Sequence, residues 1–464
     1  MKKILLFLSF CIYIMVACQK QSDIFDLIED KEELSGGQAT SFDFSENAFG
    51  KSVDGLSGQQ EDAFVLGNSF FRNNWVTAPA SASGRDGLGI FFNASSCGGC
   101  HFKDGRAKTP ANPNESLNGL LFRLSISGQN ANGSPLPEPN YGGQLNEKAI
   151  SGVNSEAKIR VNYAEIAGKY PDGTTFSLRK PMYEFYEPAY GDFHANMLVS
   201  PRIAQQLAGL GLLEIVPENT ILLFADPNDQ NNDGISGKAN YVWDKVQKKA
   251  VLGRFGWKAN QPNLFQQSAD AFLGDIGITS SLNSEENLTP IQKSSYPNLP
   301  NGGSPEISDA NLQNVVFYLQ ALAVPARRNW KDQTVLRGKQ LFTQIRCASC
   351  HIPEMQTGFS PIKTLANQKI RPYTDLLLHD LGQDLADNRP DFLANGNEWR
   401  TPPLWGLGML KTVNNHTFLL HDGRARNFEE AILWHGGEAE KAKNEFKNLS
   451  KVERESLIKF LESL

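Results

Sequence analysis

The stretches Cys347-Ala348-Ser349-Cys350-His351 and Cys97-Gly98-Gly99-Cys100-His101 share the pattern C-x-x-C-H. Two cysteines one helical turn apart can form thioether bonds to the two vinyl groups of one haem, and the histidine that follows can bind its iron. The chain has only 6 cysteines and 7 histidines among 464 residues, so two chance matches would be rare. The sequence therefore predicts two covalently attached c-type haems.

Two other uses of paired cysteines fit the spacing less well. A zinc site built from both pairs would place the second pair about 15–20 residues after the first, whereas Cys100 and Cys347 lie much further apart. A thioredoxin-like dithiol would follow a strand in a βαβ pattern, and neither motif does. We therefore expect haem to take up all four thiols.

The N-terminus has the pattern of an exported lipoprotein. Two lysines precede an apolar run that ends at Cys18, as in a bacterial lipobox. The sequence predicts a signal peptide over 1–17, lipid attachment at Cys18 and a polar tether over 18–55, in a periplasmic or cell-surface protein. Ordinary cleavage that leaves Cys18 as a free thiol is the alternative. Export is also expected where c-type haem is attached, so the two predictions support each other.

The composition is that of an ordinary globular protein with room for two or three domains. Hydrophobic residues make up 40% and charged residues 21% of the chain, and the formal net charge is −6. This negative charge argues against nucleic acid as a partner. The lipid at Cys18 is the only contact with a membrane that we expect.

An internal repeat organises the rest of the chain. The segment 207–214 (LAGLGLLE) resembles 404–411 (LWGLGMLK), and similar apolar helices end near residues 322 and 464. Phe92 and Phe342 each precede the first cysteine of a motif by five residues. These similarities predict that one haem-binding helical unit occurs twice.

The predicted fold is mainly α, with two cytochrome c-like haem domains that arose by internal duplication. The domains are expected over 56–325 and 326–464. Alternating apolar and polar residues, with a turn at Pro171-Asp172-Gly173, predict a β-rich insertion over about 120–190 in the first domain.

The ligand on the far side of each iron decides what that haem does. A sixth protein ligand makes an electron carrier, whereas an open position can bind peroxide. For the second haem we prefer His435, which ends a predicted helix on its apolar face. Met409 is the runner-up, and a histidine that only packs in the core is the alternative reading of His435. The other candidates in this half are His416 and His421.

The first haem has fewer candidates for a sixth ligand. His194, Met182 and Met197 lie in its half of the chain. The two methionines are better explained by apolar packing and the histidine by a surface position. We therefore expect an open position on the first haem.

A further motif resembles the start of a calcium-binding loop. Asp229, Asn231 and Asp233 alternate and are followed by Gly234, which suits oxygen ligands around a hard cation. Asn240 stands where such loops carry a glutamate, which weakens the match. An Asx-rich turn without a metal is the alternative.

Several longer segments resemble the di-haem oxidoreductase family, which is similar to bacterial di-haem cytochrome c peroxidases. The resemblance covers nearly the whole mature chain. The segments that carry it lie at 200–203, 209–214, 233–237, 253–258, 371–380, 400–406, 421–425 and 435–439.

The resemblance implies roles for individual residues. Trp257 corresponds to a tryptophan between the two haems, a possible electron relay, and position 435 to the sixth ligand of the C-terminal haem, usually methionine. Asp275 stands where those peroxidases carry a glutamate, which moves a proton between the two peroxide oxygens. Aspartate is one methylene shorter, and a helix-capping role is its alternative. Residues that could bind haem propionates, or form structural salt bridges instead, are Arg202, His379 and Arg424.

The resemblance thus implies an exported peroxidase-like oxidoreductase with two haems. Electrons from a donor or substrate protein would pass from a low-spin C-terminal haem to an N-terminal haem that reacts with hydrogen peroxide. The alternative is a di-haem electron-transfer protein without peroxide chemistry.

Overall fold

A computed structural model describes residues 28–81, 84–298 and 300–464. The predicted signal peptide at 1–17 and the predicted lipid site Cys18 lie outside these residues. Within them, no helix combines the length and the apolar character that a membrane crossing needs.

The fold is not mainly α, so the predicted fold class of two cytochrome c-like domains is wrong. Helices take up 29% of the chain and strands 19%. The strands form several small sheets, most of them two-stranded. The repeat that suggested a helical fold covers only a few short segments, while the long connections between them carry no helical periodicity. These connections form strands, turns and irregular structure.

The helices are short, and most of the longer ones have capped N-termini. The sequence patterns Ser57-x-x-Gln60 and Ser450-x-x-Glu453 predict capping boxes, and a capping box begins a helix at each of these serines. The α-helices are Gly58–Arg72, Cys97–Cys100, Leu210–Glu214, Glu218–Leu222, Leu264–Ile276, Pro290–Ser295, Asp309–Gln320, Gln333–Gln344, Leu410–Asn414, Phe428–Trp434, Glu440–Asn448 and Lys451–Ser463. The 3₁₀ turns are Gly37–Ala39, Ala48–Gly50, Phe102–Asp104, Cys347–Ser349, Lys363–Leu365, Leu407–Met409 and Gly437–Ala439.

The longest strands lie between the two motifs, and most of the others are only two to four residues long. The strands are Thr40–Ser41, Phe91–Phe92, Leu120–Gln129, Pro135–Leu136, Gln144–Leu145, Lys148–Ala149, Lys158–Lys169, Thr175–Tyr186, Leu198–Ile203, Tyr241–Asp244, Lys249–Leu252, Val324–Pro325, Met355–Gln356, Lys369–Ile370, Leu378–Asp380 and Glu398–Arg400.

Two groups of strands stand out. Lys158–Lys169 and Thr175–Tyr186 form a long antiparallel hairpin around the predicted turn. A four-stranded sheet is centred on Leu120–Gln129, which pairs with Gln144–Leu145 and with Leu198–Ile203. The last of these strands lies beyond the segment for which the sequence predicts an insertion. Residues distant in sequence therefore meet on one sheet.

Each C-x-x-C-H motif lies beside a pair of packed helices. In the first half Gly58–Arg72 packs against Asp309–Gln320, and in the second half Gln333–Gln344 packs against Lys451–Ser463. In both pairs the helix that precedes the motif meets the last helix of its half. This repeated arrangement is the structural counterpart of the sequence repeat.

A glycine allows close approach at each of these helix pairs. A Cβ on Gly67 would lie 2.0 Å from the carbonyl oxygen of Asn314, and one on Gly338 would lie 2.1 Å from that of Ser456. Both distances are far below van der Waals contact, so any side chain would force the helices apart.

The repeated LxGLGxL segments occupy equivalent places. A Cβ on Gly211 would lie 2.1 Å from the carbonyl oxygen of Gln320, at the end of the last helix of the first half. In the second half, a Cβ on Gly408 would lie 2.0 Å from the carbonyl oxygen of Glu462. The glycines shared by the two repeated segments therefore lie where two stretches of backbone are in close contact.

The aromatic residue that matches Phe342 is not Phe92. The Phe342 ring lies 6.2 Å from the ring of His351, and in the first half Phe71 lies 6.0 Å from the ring of His101. Phe92 belongs to a two-residue strand instead. Equal spacing to the cysteines misled the comparison, because the first half has a long loop between its helix and its motif.

Within the predicted tether over 18–55, the described residues from 28 onward are packed against the rest of the protein. Thr40–Ser41 pairs in parallel with Val324–Pro325, and Phe49 is completely buried. The buried carboxylate of Glu32 forms an ion pair with Arg327. The chain is thus packed onto the body of the protein well before residue 55.

The two halves share their cores. One core contains Phe272 and Leu312 from the first half together with Ile370 and Trp405 from the second. Another contains Phe49 and residues of the hairpin together with the helices of the second half. The boundary near residue 325 therefore divides the sequence repeat but does not divide the hydrophobic core.

Candidate haem-binding cavities

A cavity lies at each C-x-x-C-H motif. The one at the first motif, here called the N-terminal cavity, has a volume of about 200 Å³. The one at the second motif, the C-terminal cavity, has a volume of about 710 Å³. The motif residues that line them are Cys97, Cys100 and His101 in the first and Cys347, Cys350 and His351 in the second.

The motif cysteines are arranged as pairs on tight turns. Cys97–Cys100 is a single helical turn, and Cys347–Ser349 is a 3₁₀ turn. All four cysteines are free thiols, so no disulfide uses them. Each pair is therefore available for two bonds to one group in the adjoining cavity.

The motif histidines are held in one orientation by backbone carbonyls. Nδ1 of His101 donates to the carbonyl oxygen of Gln205 at 2.7 Å, and Nδ1 of His351 donates to that of Tyr373 at 3.0 Å. Because a carbonyl oxygen only accepts, the proton sits on Nδ1 and Nε2 is left as a ligand. Burial lowers the pKa of His101, and burial together with nearby His435 lowers the pKa of His351 to about 4. Both imidazoles are thus neutral, as iron ligation requires.

A second histidine shares the C-terminal cavity. His435 follows the helix Phe428–Trp434 and lines this cavity together with His351. Its Nδ1 lies 2.6 Å from the carbonyl oxygen of Ala431, so Nε2 is again the free nitrogen. Burial lowers the pKa of His435 and keeps its ring neutral. The residue preferred from the sequence therefore lies in the same cavity as the motif histidine, and its role as a sixth ligand stays a prediction.

The other candidates for this ligand are less well placed. Met409 is buried in the core. Nε2 of His416 donates a hydrogen bond to the carbonyl oxygen of Arg106 at 3.1 Å. Neither residue lines the cavity. His421 does line it, but its ring is stacked on Trp399 with a centroid distance of 3.8 Å. After burial, the nearby charge of His435 is the largest influence on the pKa of His351.

In the part of the chain that the structure describes, no second histidine lines the N-terminal cavity. His194, Met182 and Met197 are absent from its wall, and His194 is exposed to solvent. Among the described residues that line this cavity, His101 is the only histidine and there is no methionine. A group bound to His101 would therefore keep one face free of strong protein ligands.

Asp275 lies in the wall of the N-terminal cavity. It is near the end of the helix Leu264–Ile276, and its Oδ1 accepts a hydrogen bond from Nε2 of Gln144 at 2.8 Å. Burial raises the pKa of the Asp275 carboxyl, while the charges of Arg123 and His101 lower it to a smaller extent. Its partner is a side chain and not a backbone N–H of the helix end, so the capping alternative does not describe it.

Two residues beside Asp275 were missed by sequence reasoning. Arg123 and Gln144 are paired across neighbouring strands of the four-stranded sheet, which puts both side chains on the same face. Both come from the segment that the sequence identified only as an insertion. The sequence could not single them out, because only the folded sheet places them next to the helix that contains Asp275.

Trp257 lies in the wall between the two cavities. Its buried side chain lines both of them, and its Nε1 donates to the carbonyl oxygen of Ile203 at 2.8 Å. The backbone N–H of Arg400 donates to the carbonyl oxygen of Trp257 at 2.9 Å. This is the intermediate position that the resemblance implies for a relay.

The three residues considered as propionate ligands each have a carboxylate partner. The pairs are Arg202–Asp391 at 2.8 Å, Arg424–Asp422 at 2.8 Å, and His379 with Asp375 and Glu438, both at 2.7 Å. These contacts are the structural salt bridges of the alternative explanation. Arg106 and Arg400 also line the cavities, and within the described part of the chain neither forms an ion pair with a carboxylate.

The calcium-like loop uses its oxygens to hold its own backbone. Oδ1 of Asp229 accepts from the N–H groups of Asp233 and Gly234, and Oδ1 of Asn231 also accepts from Asp233. Oδ2 of Asp233 pairs with Arg346 at 3.1 Å. Across 28–81, 84–298 and 300–464, no group of three or more His, Cys, Asp or Glu residues could hold a metal ion. Calcium binding at Asp229, Asn231 and Asp233 stays a prediction.

A sequence model of the family described as "Di-haem oxidoreductase, putative peroxidase" matches residues 30–464. The chain belongs to the di-haem oxidoreductase family. No curated protein matches it. Among solved structures, it is similar to a hydrazine synthase from Kuenenia stuttgartiensis, with 12% identity over 89% of this chain and 94% of that chain and a TM-score of 0.31. A superposition at this TM-score supports no conclusion about fold or chemistry.

The residues present fit the haem groups that the di-haem oxidoreductase family implies. Each cavity offers two free thiols and a neutral imidazole whose Nε2 is unused. The buried guanidinium of Arg106, which has no anionic partner in the described part of the chain, suits the carboxylates of a haem. Covalent attachment through Cys97, Cys100, Cys347 and Cys350 stays a prediction.

Proposed function

We propose that this di-haem oxidoreductase is an exported c-type peroxidase with unequal haem sites. The observation that carries the proposal is the contrast between the cavities. The C-terminal cavity contains His435, with an unused Nε2, beside the motif histidine, whereas the N-terminal cavity has one histidine and the partly buried carboxyl group of Asp275. A bis-histidine site suits electron entry, and a site with one free face suits peroxide.

Reduction of hydrogen peroxide to two water molecules takes up two electrons and two protons. Haem in the N-terminal cavity supplies the electrons when it is bound. Asp275 would take a proton from one peroxide oxygen and return it to the other, which leaves as water. Gln144 holds Oδ1 of this carboxyl group, and no described residue hydrogen-bonds Oδ2, which is therefore the atom available to carry the proton.

The C-terminal cavity contributes in a different way. His351 and His435 would hold an iron on both faces, which keeps peroxide away from this site. An external donor protein would deliver electrons here, and the ring of Trp257 in the shared wall would offer a path onward.

Substitution of Asp275 by asparagine tests the proposal. Asparagine keeps the size of the side chain but cannot accept and return a proton, so kcat for peroxide reduction should fall by about 10²–10⁴-fold. Asp275→Glu should retain much of the activity, because glutamate stands at this position in the similar peroxidases. Stopped-flow turnover with an artificial electron donor measures the effect, after the haem content of each variant has been determined.

Asp270→Asn is the matched control. Asp270 lies on the same helix and pairs with Lys245 at 2.6 Å, but it does not line the cavity. Its substitution should leave kcat within a few-fold of the parent. Unchanged turnover in Asp275→Asn would remove Asp275 from the mechanism. A fully haem-loaded parent protein that does not reduce peroxide would favour the electron-transfer alternative.

A further inference from the structure

Arg106 is a buried cation whose hydrogen-bonding groups are largely unused. Its side chain is 3% exposed. Its only side-chain hydrogen bond to a described residue is a long one, 3.4 Å from a terminal nitrogen to the carbonyl oxygen of Leu420, and its Nε has no partner. A guanidinium has five N–H donors, and burying it without an anion is costly. Burial accordingly lowers the pKa of Arg106 to about 10.

Other buried arginines of the chain have a carboxylate partner or several hydrogen bonds to oxygen atoms. Arg202, Arg424 and Arg327 each pair with a carboxylate. Arg400 has no carboxylate partner, but it donates to three oxygen atoms, the nearest at 2.8 Å. Arg106 thus differs from these arginines in lacking both an anion and a set of short hydrogen bonds.

The position of Arg106 indicates where its missing partner would lie. It follows the first motif in sequence, but its side chain lines the C-terminal cavity. Its side chain donates a hydrogen bond to the carbonyl oxygen of Leu420. The next residue, His421, has a buried Nε2 without a hydrogen-bond partner. Its guanidinium carbon lies 5.3 Å from the ring centre of Trp257. Arg106 and His421 therefore both line the C-terminal cavity, and Arg106 lies beside Trp257, which lines both cavities.

We infer that Arg106 binds a propionate carboxylate of the haem in the C-terminal cavity. The inference rests on the proposed function, which places a haem at Cys347 and Cys350. A guanidinium fork matches the two oxygens of a carboxylate, and such charge-assisted pairs are strong in a dry site. The first half of the chain would in this way supply a binding residue to the haem of the second half.

This contact should change the reduction potential of the C-terminal haem. A positive charge beside a haem disfavours the oxidised, more positive iron and raises the reduction potential. Arg106→Gln would leave a buried propionate charge unbalanced, so the potential of the C-terminal haem should shift downward. Arg106→Lys keeps the charge but loses the fork and should give a smaller downward shift. The N-terminal haem should shift less than the C-terminal one, because Arg106 does not line its cavity.

Arg179→Gln is the matched control. Arg179 is also a buried arginine stacked on aromatic rings, but it donates to Thr109 and two carbonyl oxygens and lines neither cavity. Spectroelectrochemical titration of the haem-loaded proteins would give both potentials in each variant. We expect Arg179→Gln to change neither.

Haem stoichiometry, measured first, separates the possible failures. A parent protein without haem at the second motif would refute the proposed function itself. Two bound haems with unchanged potentials in Arg106→Gln would overturn only the present inference. If that variant does not fold, Arg106→Lys decides, and an unchanged potential there would count against the contact. A parent potential that moves with added acetate would show that Arg106 binds a free anion instead.

Discussion

The N-terminal and C-terminal cavities share the residues around the motif histidine and differ in the other residues that line them, here called the far wall of each cavity. In both, a backbone carbonyl holds Nδ1 of that histidine, and an aromatic ring from the preceding helix packs beside it. The far wall contains Arg123 and Asp275 in the first cavity and His435 in the second. The repeated unit thus determines where a haem can be held, and the elements outside the repeat determine what its other face meets.

The largest expected effect is loss of one cofactor from one half. Replacing Cys347 and Cys350 by alanine should remove the covalent haem of the C-terminal cavity, and replacing Cys97 and Cys100 should remove the other. Each double variant should keep about half of the covalent haem, because each cavity has its own pair of thiols. Haem staining of denatured protein and a pyridine haemochrome assay measure this. Full haem content in either variant would contradict covalent attachment at that motif.

The second prediction concerns a substitution that removes His435, the histidine by which the far wall of the C-terminal cavity differs from that of the N-terminal cavity. His435→Ala should convert the C-terminal haem from a low-spin to a high-spin ferric signal, since its sixth ligand is lost. Electron paramagnetic resonance of the oxidised protein records the change. The exposed His194 provides the control, and His194→Ala should leave both signals as they are. A low-spin signal that survives in His435→Ala would mean that another side chain binds this iron.

The smallest predicted effect concerns the packed helix pair that occurs in each half of the chain. Gly67→Ala and Gly338→Ala should each lower the free energy of unfolding by about 1–3 kcal/mol, because the added Cβ overlaps the partner backbone. Urea unfolding followed by circular dichroism measures the loss. Both variants should show a single transition, because the hydrophobic cores contain residues from both halves.

Gly58→Ala is the control for these glycine variants. Gly58 begins the helix that contains Gly67, and a Cβ there would meet nothing within 4 Å. Its substitution should be neutral or stabilise the protein by about 0.4–1 kcal/mol through reduced freedom of the unfolded chain. Two separate transitions in Gly67→Ala or Gly338→Ala would show that the halves unfold independently.

Local patterns in the sequence predicted local features well. The capping boxes at Ser57 and Ser450 and the hairpin turn at 171–173 are confirmed, because their hydrogen bonds join residues a few positions apart. The match of Phe92 to Phe342 is wrong, because counting residues back from the motif assumes equal loops in the two halves. Arg106 escaped notice for a related reason, as it follows one motif in sequence and faces the cavity of the other.

By itself, the sequence determined the family, the two sets of thiols and imidazoles, and the positions of the repeated glycines. These depend on spacing along one segment, and a short segment carries its own geometry. Only the tertiary structure decided the mixed α and β fold, the shared cores and the two far walls. Asp275 meets Gln144 because a helix and a sheet strand pack together, and Trp257 separates two cavities because both halves enclose it. Such contacts join residues more than a hundred positions apart, and no local pattern records them.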